Sequence, residues 1–284
     1  MPTTDQIALV TGATSGLGRE VAKALAAQGL HVLAHGRNAR RTEALVEELV
    51  RAGGSAQPYV ADLASLAQVR DLAERVSADH PALHVLVNNA GVGGGPPPRR
   101  TRELSEDGHE MRWAVNYLAP ALLTRLLLPA LTAAAPSRVV NVTSTGQAEV
   151  DFDDTSMERG YDGAEAYFRS KFALAAFTFD LADQLKGSGV TVNCLHPATF
   201  MDTFQVREAG FAPWNTVEAG VPPVLNLAVD KTGGEVTGQY FDGMRKKKAH
   251  RKAYKGDVQR RLREVTDRQL APYTGGRLDG QSSR

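Results

Sequence analysis

The chain has 284 residues, 42% of them hydrophobic, enough to bury the core of one large α/β domain. Its 33 basic and 32 acidic residues leave a net charge of +1, so no global field draws it to nucleic acid or an anionic membrane, and a small molecule is the expected partner. The single cysteine, Cys194, has no internal disulfide partner and sits in the apolar run 190–195, as a buried thiol in a reducing compartment would.

Strands are predicted at 6–10, 31–35, 56–60, 85–87, 138–142, 190–195 and 239–241, with helical patterns between them. That rhythm predicts an α/β fold with a doubly wound parallel sheet of about seven strands and helices on both faces, its ligands gathered at the carboxyl ends of the strands. The first strand begins within about six residues, which leaves no room for a signal peptide and points to a cytoplasmic protein. The apolar stretch 118–131 is too short to span a bilayer and is interrupted by Pro120, Arg125 and Pro129, so it is expected as a buried helix.

The first strand runs into Thr11-Gly-Ala-Thr-Ser-Gly-Leu-Gly18 and then a helical pattern. Gly12, Gly16 and Gly18 allow a tight turn and a close approach to a pyrophosphate, and Thr14, Ser15 and Leu17 complete the cradle at the helix start. At the end of the second strand, where NAD-specific proteins place a carboxylate for the ribose hydroxyl, this chain has Gly36-Arg37-Asn38. Arg37 offers a planar fork to a 2′-phosphate, with Arg40 or Arg41 near it, so NADP(H) is the expected cofactor. Asp62 and Leu63 follow the third strand, where Asp62 also suits the cap of the next helix. Asn88-Asn89-Ala90-Gly91 closes the fourth strand, and residues 91–102 read as a loop. Asn116 lies in a long helical run and Ser144 follows the fifth strand. Tyr167 and Lys171 are four apart in a helical segment, hence on one face, where an ammonium would lower the phenol toward the working range of an acid or base. Tyr161, whose i+4 neighbour is Glu165, is the decoy.

The ordered set of TGxxxGxG, NNAG, serine and YxxxK resembles the short-chain dehydrogenase/reductase family over residues 6–243. The longer interval from Ser144 to Tyr167 is similar to the branch of retinol dehydrogenases and protochlorophyllide reductase. The resemblance implies a one-domain Rossmann fold and a tetrad of Asn116, Ser144, Tyr167 and Lys171 that moves a hydride between a nicotinamide and a carbonyl or alcohol. It also implies an adenine contact at Asp62 beside Leu63, cofactor contacts at Asn89, Ala90, Gly91, Tyr167 and Lys171, and a water held by Asn116. The family's Pro-Gly after the sixth strand is here Pro197-Ala198. Pro197 would turn the chain beneath the nicotinamide, with Thr199 or Thr203 as candidates for its carboxamide or phosphates, and His196 reads as a strand-end histidine.

No metal site is expected, because Asp151, Asp153 and Asp154 lack the pattern of a calcium loop. Phe200, Met201, Phe204, Phe211 and Trp214 suggest an apolar lid. The apolar helices 111–131 and 172–185 suggest a homodimer or homotetramer. Residues 1–244 read as the catalytic domain and 245–284 as a basic extension, expected as a solvated helix or frayed tail rather than a nucleic-acid surface. The alternative to an enzyme is a non-catalytic NADP-binding regulator on the same fold.

Overall fold

The computed structural model describes residues 5–274. The order is β1 (Ile7–Val10), α1 (Gly16–Ala27), β2 (His31–Gly36), α2 (Ala39–Arg51), β3 (Ser55–Val60), α3 (Leu66–Asp79) and β4 (Val85–Asn88). There follow α4 (Met111–Trp113), a π-helical turn (Ala114–Leu118), α5 (Ala119–Ala133), β5 (Ser137–Val142), α6 (Gly163–Gln184) and β6 (Val190–His196). The chain ends with α7 (Phe204–Glu208), α8 (Val221–Ala228), α9 (Lys231–Glu235), β7 (Tyr240–Asp242), β8 (Arg245–Lys247) and α10 (Gly256–Thr274). The strands form one sheet in the order β3-β2-β1-β4-β5-β6-β7-β8, parallel throughout except for β8. Strand order reverses between β1 and β4, which opens the crevice of a doubly wound sheet at their carboxyl ends.

The period-2 pleat divides the core into two layers. In β1, Leu9 faces a layer with Leu66 of α3, Leu122 of α5 and Phe172 of α6. Its neighbours Ala8 and Val10 face the other layer, with Val21 and Leu25 of α1, Leu45 of α2 and Val224 of α8. Helix α1 buries Leu17, Gly18, Val21, Ala22, Leu25 and Ala26, the stripe that a 3.6-residue period puts on one face. The run Met111–Ala133 has the length and apolarity of a membrane-crossing helix, and 78% of its most apolar window is buried inside the protein.

Two features depart from the sequence reading. The sheet has eight strands rather than seven, because Arg245–Lys247 pairs antiparallel with β7. All three residues are exposed, so no alternation of apolar side chains betrays the strand, and its charges suit an unprotected sheet edge. The second departure is the basic extension. Residues 245–274 continue the sheet and then pack α10 on the core through Leu262, Val265 and Leu270, while residues 275–284 lie outside the described residues. Helix α10 crosses the face of α4, the π turn, α5 and α6 on which subunit pairing was expected. Trp113 Nε1 donates to Gln269 at 2.9 Å, Arg125 pairs with Asp267 at 2.7 Å, and Arg263 pairs with Asp180 at 3.2 Å. The apolar surface that suggested a second subunit is thus covered from within the chain.

Candidate active site

The glycine turn leaves no room for side chains where backbone must approach backbone. Gly12 has φ +65, and a Cβ there would lie 2.9 Å from the Ala90 Cα, while a Cβ on Gly18 would collide with the Gly12 carbonyl and the Asn89 amide. Ser15 occupies the N-cap of α1 in an extended conformation and makes no side-chain cap bond, so the cap residue's hydroxyl does not take up the first N–H groups of α1. Thr14 leans over Gly36, and Leu17 is 6% exposed.

Thr11 ties this turn to the end of β4. Its hydroxyl donates to the Val87 carbonyl at 3.3 Å and accepts the N–H groups of Asn89 at 3.0 Å and Ala90 at 3.1 Å. The Asn89 amide donates to the Thr11 carbonyl at 2.9 Å. The second of the NNAG asparagines therefore fastens the β1 and β4 ends together at the switch point.

At the end of β2, Arg37 is exposed and Asn38 caps α2 by accepting the Arg41 N–H at 3.0 Å. Asp62 accepts the Ala64 N–H at 2.9 Å in the turn before α3, whose N-cap is Ser65, so Asp62 is not the helix cap that the sequence suggested; Leu63 beside it is 6% exposed. No carboxylate intervenes between Gly36 and Asn38.

The four expected tetrad residues converge. A Cβ on Gly91 would stand 3.2 Å from the Asn116 Oδ1 and 3.5 Å from the Lys171 Nζ, which places both side chains over that glycine. Asn116 sits in the π-helical turn, a local widening found often at functional sites. Its amide accepts the Val92 N–H at 2.7 Å and donates to the Val92 carbonyl and the Ser170 hydroxyl, each at 3.0 Å. Asn116 thus clamps the β4 loop to α6. The Ser144 side chain lies by the Tyr167 hydroxyl, close enough to favour its ionised form, and the Lys171 Nζ lies 5.7 Å from the Tyr167 ring centroid. The Ser144 hydroxyl accepts the Gly146 N–H at 3.1 Å, and its carbonyl receives the Gln147 amide at 2.8 Å and the Tyr240 hydroxyl at 3.3 Å.

The electrostatics differ from the sequence expectation. Burial pushes the Tyr167 phenol up, and only the nearby Ser144 side chain pulls it back. Burial likewise lowers Lys171 to about 8, and its ammonium is committed to the Val142 carbonyl at 2.9 Å. In this arrangement the cost of desolvating a phenolate outweighs the attraction of a cation beyond the ring. The decoy Tyr161 is pushed up as well, first by burial and then by buried Glu110, which accepts its hydroxyl at 3.0 Å; the partner is Glu110 rather than Glu165.

After β6, the His196 Nε2 and the Thr199 hydroxyl are 3.1 Å apart, so both are engaged at the strand end, next to Pro197. Thr203 is better placed over the cradle, its methyl 3.4 Å from where a Gly16 Cβ would stand. Phe200 stacks on Phe211 at 4.7 Å and meets Trp214 edge-on at 4.8 Å, while Phe204 and Trp214 are 76% and 70% exposed. Gln205 of α7 donates to the Gly91 carbonyl, and Arg99 donates to the Ala209 carbonyl at 2.7 Å, so this aromatic segment rests on the β4 loop. Asp154 in the insertion serves as an acceptor for the Glu158 N–H at 2.8 Å.

The sequence profile of the family described as short chain dehydrogenase matches residues 6–210. The chain belongs to the short-chain dehydrogenase family. Within it, the relatives place the chain in the retinol dehydrogenase branch, as an oxidoreductase. It is 36% identical to retinol dehydrogenase 13 of Homo sapiens over 275 residues, covering 89% of this chain and 81% of the relative. It is 34% identical to human retinol dehydrogenase 11, with coverage of 92% and 84%. Among solved structures, the NADP active-site complex of Pseudomonas aeruginosa RhlG aligns at a TM-score of 0.70 with 28% identity, covering 84% of this chain and 95% of that one. A metagenomic short-chain oxidoreductase in complex with NADP aligns at 0.57 with 32% identity and coverage of 69% and 84%.

One residue of the cleft escaped the sequence reading. His35 is a polar side chain following the apolar run Val32-Leu33-Ala34 of β2, buried at 2% exposure, and burial lowers it from 6.5 to about 4. A base lowered by folding contributes stability that is complete above 6.5 and is lost as the pH falls toward 4, a span worth roughly 3 kcal/mol. Urea unfolding of wild type at pH 7 and pH 4.5 is expected to show a larger loss than the same comparison in His35→Gln. Equal losses would remove His35 from the acid response.

Proposed function

We propose that the protein is an NADP-dependent oxidoreductase that moves a hydride between NADPH and a carbonyl or alcohol substrate of apolar character. The observation that carries this reading is the meeting of Ser144, Tyr167, Lys171 and Asn116 beside a glycine cradle whose β2 strand end carries Arg37 and no carboxylate. NADPH, when bound, supplies the hydride. Tyr167 donates the proton to the substrate oxygen, Ser144 holds that oxygen and offsets its developing charge, and Lys171 stands behind the tyrosine. Gly12, Thr14, Ser15, Gly16, Leu17 and Gly18 receive the phosphates, with Thr203 over Gly16, Asp62 and Leu63 the adenine, and Asn89, Ala90, Gly91, Pro197 and Thr199 line the remaining length. The exposed aromatics of the segment 200–214 supply apolar surface at the mouth.

We propose that the full chain is a monomer; the cover that α10 gives to the face of α5 and α6, and β8 to the edge of β7, supports this over the homodimer or homotetramer suggested by the sequence. A non-catalytic NADP-binding regulator is the competing reading, and it gives no reason for Ser144, Tyr167 and Lys171 to meet beside the cradle.

Cofactor choice is tested at Arg37. Arg37→Ala removes a charge-assisted phosphate contact worth about 1.5–3 kcal/mol, so the KM for NADPH should rise roughly 10- to 150-fold with that for NADH unchanged. Steady-state kinetics with both cofactors check it. A wild type equally efficient with NADH, or a variant with an unaltered KM for NADPH, would contradict the assignment.

A further inference from the structure

One side chain joins the carboxyl ends of β1, β2 and β3. The His35 Nδ1 accepts the Gly12 N–H at 3.2 Å, and Nε2 stands 3.1 Å from the Ala61 carbonyl. A carbonyl only accepts, so the proton sits on Nε2, Nδ1 is bare and the ring is neutral. The backbone makes the same two links close by. The Ala13 N–H donates to the His35 carbonyl at 2.8 Å, and the Ala61 N–H donates to the Gly36 carbonyl at 3.3 Å. Gly12 opens the phosphate turn, Asp62 follows Ala61, and Arg37 leaves β2 two residues beyond His35. The imidazole therefore stands between the turn that faces the phosphates and the two strand ends that face the adenosine.

We infer that His35 is a positioning residue for the nucleotide cleft, holding the glycine turn, Arg37 and Asp62 in one frame through its bonds to Gly12 and Ala61. This rests on the proposed reading of the cleft as an NADP site. An imidazole suits the task because its two nitrogens face apart, one accepting and one donating, across a rigid ring. Asparagine can place its oxygen near the Nδ1 position and keep the Gly12 bond but not reach Ala61. Glutamine can place its amide near the Nε2 position and keep the Ala61 bond but leave the Gly12 N–H unpaired. Phenylalanine fills the space and makes neither bond. A buried N–H without an acceptor is free to tilt toward any other partner, so the turn loses its set position.

The test is the dissociation constant for NADPH, read from nucleotide fluorescence on the full-length protein, for wild type and for His35→Phe, His35→Asn and His35→Gln. His35→Phe should bind at least about tenfold more weakly, a loss of the size expected for one buried hydrogen bond. His35→Asn should regain most of that affinity and His35→Gln less, because the Gly12 bond is the one that sets the phosphate turn. At saturating NADPH the kcat of each variant should stay within about twofold of wild type, since no group that touches the substrate is altered. A residue that only fills the core would lower the melting temperature of these variants and leave their NADPH affinity unchanged, and that result overturns the inference. If His35→Phe does not fold, equal affinity in wild type, His35→Asn and His35→Gln overturns it in the same way. A wild type that binds neither NADPH nor NADP+ refutes the function itself and the inference with it, whereas tight wild-type binding that all variants share refutes the inference alone.

Discussion

Tyr167→Phe is expected to lower kcat by about 10²- to 10⁴-fold while leaving the fold and the NADPH affinity in place. The substitution removes one hydroxyl, the one beside Ser144, and keeps the ring. Burial keeps this phenol protonated at neutral pH, which is the state needed by an acid in carbonyl reduction. In the oxidative direction the same group must release its proton, so alcohol oxidation should gain more from rising pH than ketone reduction does. Lys171→Ala is expected to act differently. Its ammonium bonds the Val142 carbonyl and lies with Asn116 over Gly91, so its loss should weaken NADPH binding as well as turnover. Steady-state kinetics joined to NADPH titration separate the two effects. A Tyr167→Phe protein with near wild-type turnover would remove the tyrosine from the chemistry.

Ending the chain at Lys255 is the second large change. It removes α10, whose Leu262, Val265 and Leu270 are each under 8% exposed. At about 1.5–3 kcal/mol per buried side chain, the loss approaches the whole stability of an ordinary domain. It also uncovers Trp113 and Tyr117, which are 2% and 1% exposed in the intact protein. The truncated protein should therefore be insoluble or pair through the face of α5 and α6, while the full chain runs as a 30.5 kDa monomer in light scattering. Leu270→Ala, at about 2–5 kcal/mol, is the milder version and should lower the urea midpoint without changing the oligomeric state. A truncated monomer of unchanged stability would show that α10 is no part of the core, and a full-length dimer would show that it does not replace a partner.

Most of the sheet was legible because its strands are apolar runs bounded by glycine and polar turns, and all seven predicted strands fall within a residue of their observed ends. The eighth strand, β8, was not legible, because an edge strand of Arg-Lys-Lys carries no hydrophobic period. The charge run also masked α10, where Leu262, Val265 and Leu270 form a sparse apolar stripe among arginines. The glycine cradle and YxxxK were legible because the chemistry needs fixed residues at fixed spacing. His35 was not, since its role comes from two contacts 23 and 26 residues away in sequence that no local pattern encodes. The Tyr167 pKa shift was read with the wrong sign because sequence places the lysine beside the phenol but says nothing of the burial that opposes it.

The account rests on one claim, that this cleft passes a hydride from NADPH to a carbonyl. The direct measurement is the loss of NADPH absorbance when the purified protein meets a panel of apolar ketones, aldehydes and quinones. Steady oxidation of NADPH with at least one carbonyl, faster than with NADH and absent in Tyr167→Phe, is the predicted result. Tight binding of NADPH with no oxidation across the panel would contradict it and leave the cleft to a regulator.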